Sequence, residues 1–312
     1  MATEAGSADP DKLHVVAVGG GHGLAATIRA ARRYARRVTA VVSTADDGGS
    51  TGRLRSGMPL PAPGDLRHCL VAMASGADRP PGPLAEALEY RFAGTDVEGH
   101  ALGNLLLAAL TSVTGDFVAA VDEAARLLGL DPDEARVLPA TAEPVELRAR
   151  TRDGGREVVG QVAVSHTAGI DRVRVVPERP PAPPDAIEAL RDADQIVLGP
   201  GSLYTSVLAA AVVDDVRQAL AEARGQRVYV CNLRAEASET RGYDVAAHVA
   251  ALNRHGIEPD VVVVQPGALP LGDVKARVVE ADVARPHGLA HDSERLAATL
   301  GALAQAPRSG LS

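Results

Sequence analysis

Tryptophan is missing from this chain and aromatic side chains make up only 2% of it, so the core has to be filled by small aliphatic residues, chiefly Ala and Val. Cysteine is nearly missing as well. Cys69 and Cys231 stand far apart with no metal-ligand spacing around either, which excludes a disulfide scaffold and points to a reducing compartment. No run of about 18 apolar residues occurs, which excludes a membrane-spanning helix. The polar first twelve residues lack the apolar stretch of a signal peptide, and a disordered tail is expected there. The expected location is cytoplasmic. Positive charge is short too: a net charge of −8 argues against generic nucleic-acid binding, which needs many Lys and Arg neutralising phosphates. A local basic patch is one alternative; a candidate, Arg29, Arg32, Arg33, Arg36 and Arg37, spreads over several faces of one predicted helix and reads as its solvated side. There is no Gly-x-Ser-x-Gly elbow, no His-Glu-x-x-His and no Cys/His arrangement of zinc type, which argues against nucleophilic and zinc catalysis.

What is present is an α/β rhythm. Residues 13–18 read as a buried strand, 24–37 follow with helical periodicity, and 38–43 are apolar and β-branched again, which predicts a βαβ unit. Residues 44–63, rich in Gly, Pro, Ser and Asp, read as a long loop at the carboxyl edge of the strands. A helical stretch covers 65–74, 84–92, 101–112 and 117–128, the last capped by Gly115-Asp116. Between 137 and 177 the period changes to two, with 145–149 and 158–164 alternating around an Asp153-Gly154-Gly155 turn, and 177–184 is proline-dense. Strands are then expected at 195–198, 227–231 and 261–264, with helices from about 202 and over 245–254. The expected fold is a Rossmann-like, doubly wound α/β domain over 13–307 with a mainly parallel sheet and a small β-hairpin insertion at about 137–177, ending in a frayed segment at 308–312.

Four clusters carry chemistry. Gly19-Gly20-Gly21-His22-Gly23, between strand and helix, lets the backbone approach a phosphate while the helix start offers free amides; it lacks the Gly-Lys-Ser/Thr of a Walker loop, and a tight structural turn is the alternative. Asp46 and Asp47, followed by Gly48, Gly49 and Ser50, open off the second strand, where carboxylates can take ribose hydroxyls or hold Mg²⁺ against phosphate oxygens, or simply make an Asp-Gly turn. Asp65 and Arg67 add a carboxylate and a cation at the start of the next helix. The third cluster, Gly99-His100-Ala101-Leu102-Gly103-Asn104, suits close packing or ligand contact equally. The fourth, Gly199-Pro200-Gly201-Ser202-Leu203-Tyr204-Thr205, is a second strand, glycine loop and helix, in which Ser202 and Thr205 offer hydroxyl donors.

Together, Ala-Asp-Asp-Gly-Gly-Ser-Thr-Gly-Arg-Leu-Arg, Pro-Gly-Asp-Leu-Arg, Gly-His-Ala-Leu-Gly-Asn-Leu, Leu-Gly-Pro-Gly-Ser-Leu-Tyr-Thr-Ser-Val and the first glycine turn closely resemble the YvcK-like gluconeogenesis-factor family, over roughly residues 13 to 300. That family is related to the CofD-type 2-phospho-L-lactate transferases. The resemblance implies a cytoplasmic protein that binds UDP-sugars such as UDP-N-acetylglucosamine and supports growth on gluconeogenic carbon and cell-shape control. It implies no established reaction. By position, Asp46, Asp47 and Asp65 resemble the acidic pocket in which the transferase relatives hold a metal such as Mg²⁺, and Gly199, Gly201 and Ser202 resemble a phosphate loop. Tyr243 and Arg277 fall where the family places residues for the nucleotide sugar. His22 replaces a usual Thr, His68 a usual Asn, and residues 234–238 depart from the usual stretch.

The expected ligand-binding set is therefore Gly20, Gly21, His22, Gly23, Asp46, Asp47, Ser50, Asp65, Asn104, Gly199, Gly201, Ser202, Thr205, Tyr243 and Arg277. The expected function is a non-catalytic UDP-sugar sensor, in homo-oligomeric form and with a regulatory protein partner. The alternatives are a Mg²⁺-dependent transferase of a phosphorylated group from a nucleotide donor, and a protein for an NAD-like dinucleotide.

Overall fold

A computed structural model describes residues 13–75, 80–94 and 96–306; the expected tails at 1–12 and 308–312 lie outside the described residues. The chain runs β1 (His14–Gly19), α1 (Gly21–Ala31), β2 (Arg37–Val42), α2 (Gly49–Gly57), α3 (Gly64–Ala74), α4 (Pro83–Glu89), α5 (Leu102–Thr114), α6 (Phe117–Leu127) and β3 (Ala135–Pro139). It continues through β4 (Glu146–Thr151), β5 (Glu157–Val159), α7 (Gln161–Ser165), β6 (Ile170–Val176), α8 (Pro184–Asp192) and β7 (Gln195–Leu198). A π-helical turn (Leu203–Val207) leads into α9 (Leu208–Ala211), then α10 (Asp214–Glu222), β8 (Gln226–Val230), α11 (Val245–Arg254), β9 (Val261–Val264), β10 (Arg277–Glu280) and α12 (Ser293–Gln305).

Seven of these strands form one parallel sheet in the order β10-β9-β8-β7-β1-β2-β3. A strand buried on both faces must be apolar at every position rather than at alternate ones. The all-valine β9 meets that demand; β1 is likewise buried at every position, and its one polar side chain, His14, is hydrogen-bonded to Thr39 Oγ1 at 3.0 Å. Alternation then sorts their side chains between two cores. Val15 and Ala17 join Leu24, Ile28, Leu70 and Leu300 on one face, while Val16 and Val18 join Leu190, Tyr204, Leu208 and Leu252 on the other. The sheet is thus doubly wound. Its order reverses between β1 and β7: the chain first builds outward through β2 and β3, then returns to β1 and builds the other way. A crevice at the carboxyl ends of the strands follows from that reversal.

The second sheet, β5-β4-β6, is antiparallel. Its inward residues Leu147, Ala149, Val158, Val173 and Val175 belong to the core on the Tyr204 face of the main sheet. Two expectations change here. The alternating stretch 158–164 is strand only at 157–159, after which α7 begins at Gln161. The reason lies far away in sequence: the Asp47 carboxylate accepts the Gln161 and Val162 amides at 3.0 and 2.9 Å, capping a turn that local pattern does not specify. Likewise, the expected loop at 44–63 contains α2. This helix has no buried apolar stripe to announce it; polar side chains pin it, with Arg55 donating to the Asp46 and Val145 carbonyls at 3.1 and 2.7 Å. Val137 belongs to β3 of the main sheet, so the small sheet starts at Glu146.

Replacing Asp47 by Ala removes both acceptors from the α7 amides. The expected result is a loss of about 1–2 kcal/mol of stability in urea titrations, with earlier hydrogen exchange at residues 157–165.

Candidate functional site

The site is built where β1 and β7 end side by side. Gly199 N–H donates to Val18 O at 3.1 Å, extending the ladder so that the two glycine turns leave the sheet together. Their backbones touch: a Cβ on Gly23 would lie 1.9 Å from the Pro200 carbonyl oxygen, so no other residue fits without moving a turn. Gly21 has φ +64°, a left-handed conformation that glycine adopts without strain. Asn232, just past β8, receives the Gly201 N–H at 3.0 Å and fixes the second turn.

A cleft of about 570 Å³ opens over this contact. Of the expected site residues, His22, Gly23, Gly201 and Ser202 line it. Three cations join them: Arg29, Arg234 and Arg285. Burial together with the neighbouring Arg285 lowers the Arg29 pKa, the signature of two guanidinium groups facing one space. The reading of Arg29 as part of a solvated helix side is therefore corrected: Arg29 lines the cleft, and α1 stops at Ala31, so Arg33, Arg36 and Arg37 lie beyond the helix. Arg285, Asn232 and His291 were missed because they come from the turn at 284–291 and the segment just past β8, and no local spacing links either to the glycine turns.

The expected carboxylates are not a metal trio. Asp47 has both oxygens on α7 amides. Asp46 accepts the Gly48 N–H at 3.0 Å. Asp65 is half-buried against the first glycine turn, takes the Gly21 N–H, and would touch a Cβ on Gly20 at 2.3 Å. Among the described residues no group of three or more His, Cys, Asp or Glu could hold a metal ion. Mg²⁺ thus does not fit these three side chains as they stand. Burial, reinforced by Asp46, pushes the Asp65 carboxyl up to about 6, while His68 and the Gly21 amide pull the other way.

Ser50 and Asn104 meet in a buried polar chain beside the first turn. Ser50 Oγ bonds His100 Nδ1 at 2.9 Å, Asn104 Nδ2 donates to Ser50 Oγ at 3.1 Å, and Arg67 Nη1 donates to Asn104 Oδ1 at 2.8 Å. Arg67 is only 1% exposed and continues to His68 Nε2 at 2.7 Å, with His68 Nδ1 2.8 Å from Glu89. The His68 ring in turn lies 4.6 Å from that of His22 in the cleft wall. Gly103 is glycine because a Cβ there would meet the Arg67 side chain at 2.7 Å.

At the second turn the hydroxyls already have acceptors. Ser202 Oγ donates to Glu236 at 2.8 Å and Thr205 Oγ1 to Glu239 at 3.1 Å. Burial and the nearby Glu236 raise the Glu239 carboxyl well above the usual carboxylate range. Gly199 forms the base of the turn, packed on Thr27 and Leu24. Tyr243 lies outside the cleft lining, bonded to Tyr204 at 2.9 Å and to Arg152 at 3.0 Å. Arg277 starts the edge strand β10 and is exposed.

These features define a doubly wound α/β protein with an arginine-lined cleft at its topological switch point. The chain belongs to the CofD family: the family model described as 2-phospho-L-lactate transferase CofD matches residues 15–303. It is 43% identical over 310 residues to a Mycobacterium tuberculosis protein named "Putative gluconeogenesis factor", covering 92% of this chain and 89% of that one. It is 41% identical over 247 residues to the Bacillus subtilis protein named "Gluconeogenesis factor", covering 78% and 75%. A crystal structure of a UPF0052-family protein from Bacillus halodurans superposes with a TM-score of 0.85 at 32% identity, over 93% of this chain and 98% of that one.

Because the folded chain holds the Asp65 proton more tightly than the unfolded chain, this group's contribution to stability is largest below about pH 4 and falls as pH rises to about 6. Asp65→Asn removes that dependence. Relative to wild type, the variant is expected to gain on the order of 2–3 kcal/mol between pH 4.5 and pH 7.5 in paired urea melts.

Proposed function

We propose that this chain is a non-catalytic sensor of a nucleotide sugar of the UDP-N-acetylglucosamine type, reporting cell-wall precursor level to central carbon metabolism and cell-shape control in the cytoplasm. The observation that carries this reading is the 570 Å³ cleft, where two glycine turns and Arg29, Arg234 and Arg285 converge at the sheet's switch point. A volume of this order suits a small organic ligand, and guanidinium forks suit the paired oxygens of a diphosphate. The amides of His22 and Gly23 begin α1 without a side-chain cap, so the positive end of the helix adds to the attraction. One helix end contributes only about 0.3–2 kcal/mol, whereas micromolar binding needs about 8 kcal/mol, so the arginines and turns have to act together. Names of relatives as gluconeogenesis factors support the link to carbon metabolism. Signalling of this kind needs a protein partner, and a homo-oligomer is proposed as the working form.

A transferase of a phosphorylated group is the second reading, favoured by the family description and by the Asp65 carboxyl, raised above its usual range, beside the first turn. Its metal would need a ligand set other than Asp46, Asp47 and Asp65. An NAD-like dinucleotide is a competing occupant of the same cleft.

Calorimetry with UDP-N-acetylglucosamine tests the reading. Saturable binding is expected with Mg²⁺ and with EDTA alike, and Arg285→Ala is expected to weaken it about tenfold or more. Absence of saturable binding in both conditions overturns the proposal; turnover of a nucleotide donor in Mg²⁺ favours the transferase, and tighter binding of NAD favours the dinucleotide.

A further inference from the structure

The residues around 284–291 fold back on themselves: Arg285 N–H donates to Ala290 O at 2.9 Å, Asp292 N–H to Val283 O at 2.8 Å, and Ala284 bridges His291. This turn carries two cleft residues of opposite character. Arg285 is exposed, whereas His291 is 8% exposed and lies in the cleft wall. One ring nitrogen of His291 bonds the Cys231 backbone at the end of β8. The other, Nε2, is buried and has no hydrogen-bond partner among the described residues.

A buried ring nitrogen without a partner is uncommon in a native fold and asks for one. With Nδ1–H given to the backbone, Nε2 presents a lone pair. Burial lowers the ring to about 4, so at neutral pH it stays uncharged and adds nothing to the attraction for phosphate. A lone pair repels a phosphate oxygen and accepts a hydroxyl or an N–H. Elsewhere in the cleft Arg29, Arg234 and Arg285 offer only donors, and the Glu236 carboxylate already receives Ser202 Oγ. His248 shows the contrast: its Nε2 is also buried and unpartnered, but the ring packs edge-on to Tyr243 and does not line the cleft.

We propose that His291 reads a hydroxyl or N–H donor on the non-phosphate part of the ligand, so that the cleft selects a phosphorylated, hydroxyl- or amide-bearing molecule over a bare anion. This rests on the cleft being the ligand site. His291 is in that role a specificity residue, distinct from the arginines that supply charge.

Two measurements decide it. Long-range ¹⁵N–¹H spectra of the ligand-free protein at pH 7 are expected to show a neutral His291 ring protonated on Nδ1; a proton on Nε2, or a charged ring, overturns the inference whether or not any nucleotide binds. In titrations with UDP-N-acetylglucosamine, His291→Leu is expected to bind about tenfold more weakly. His291→Gln, which keeps an acceptor oxygen near the Nε2 position, is expected to recover most of that loss. Sulfate, an anion without a donor, should bind all three proteins within about twofold of one another. An equal loss for sulfate and nucleotide sugar, no loss at all, or no rescue by Gln in a variant that melts like wild type overturns the inference. A wild-type protein that binds sulfate but not the nucleotide sugar overturns the functional reading instead, and the tautomer then decides the role of His291.

Discussion

Everything at the head of this sheet depends on one steric contact, the approach of Gly23 to the Pro200 carbonyl. The Cβ of any other residue would lie 1.9 Å from that oxygen. Because the contact is between backbones, it fixes the spacing of β1 and β7 loops independently of side-chain choice. α1 and the π-helical turn start from opposite sides of it, and the cleft has it for a floor. Local π-helical geometry next to a functional site is a recurrent way of re-aiming the residues that follow a strand. Here it directs Tyr204 and Thr205 inward onto Tyr243 and Glu239, leaving Ser202 at the rim.

Electrostatics divides along the same line. The chain carries a net charge of −8, yet the cleft gathers Arg29, Arg234 and Arg285. The nearby acids are held by internal donors: Asp47 by α7, Asp65 by the Gly21 amide, Glu239 by Thr205. Burial keeps the Glu239 carboxyl above the usual carboxylate range, which reduces the negative charge behind the second turn. Behind the first turn, Arg67 ties α3 to Asn104 of α5 and to Glu89 of α4. That buried guanidinium, with Gly103 making room for it, braces His68, whose ring packs on that of His22 in the cleft wall.

The parallel sheet was legible because burial on both faces forces continuous apolar runs, and 196–198 and 261–264 are such runs. Helix α11 was equally plain, bounded by Asp244, which caps it through Ala247 N–H at 2.7 Å. Helices α2 and α7 were not, since each is held by partners about ninety or more positions away rather than by its own periodicity. β10 is a four-residue edge strand with little burial, so its pattern is faint. For the site, the two glycine turns were readable from strand and helix context, and they do meet. The arginines and His291 were not, because a cleft at a switch point is assembled from segments that the sheet brings together and the sequence keeps apart. Asp47 misled for a related reason: a carboxylate next to a glycine loop has the same spelling whether it serves a metal or caps a distant helix.

Hydrogen exchange measured by mass spectrometry, with and without saturating UDP-N-acetylglucosamine, tests most directly whether the ligand sits between the two turns. Protection is expected at 20–24, 200–203 and 284–291 together, with little change at β10. Protection confined to the segments around Tyr243 and Arg277, or none at either glycine turn, contradicts a ligand site at the β1/β7 switch point.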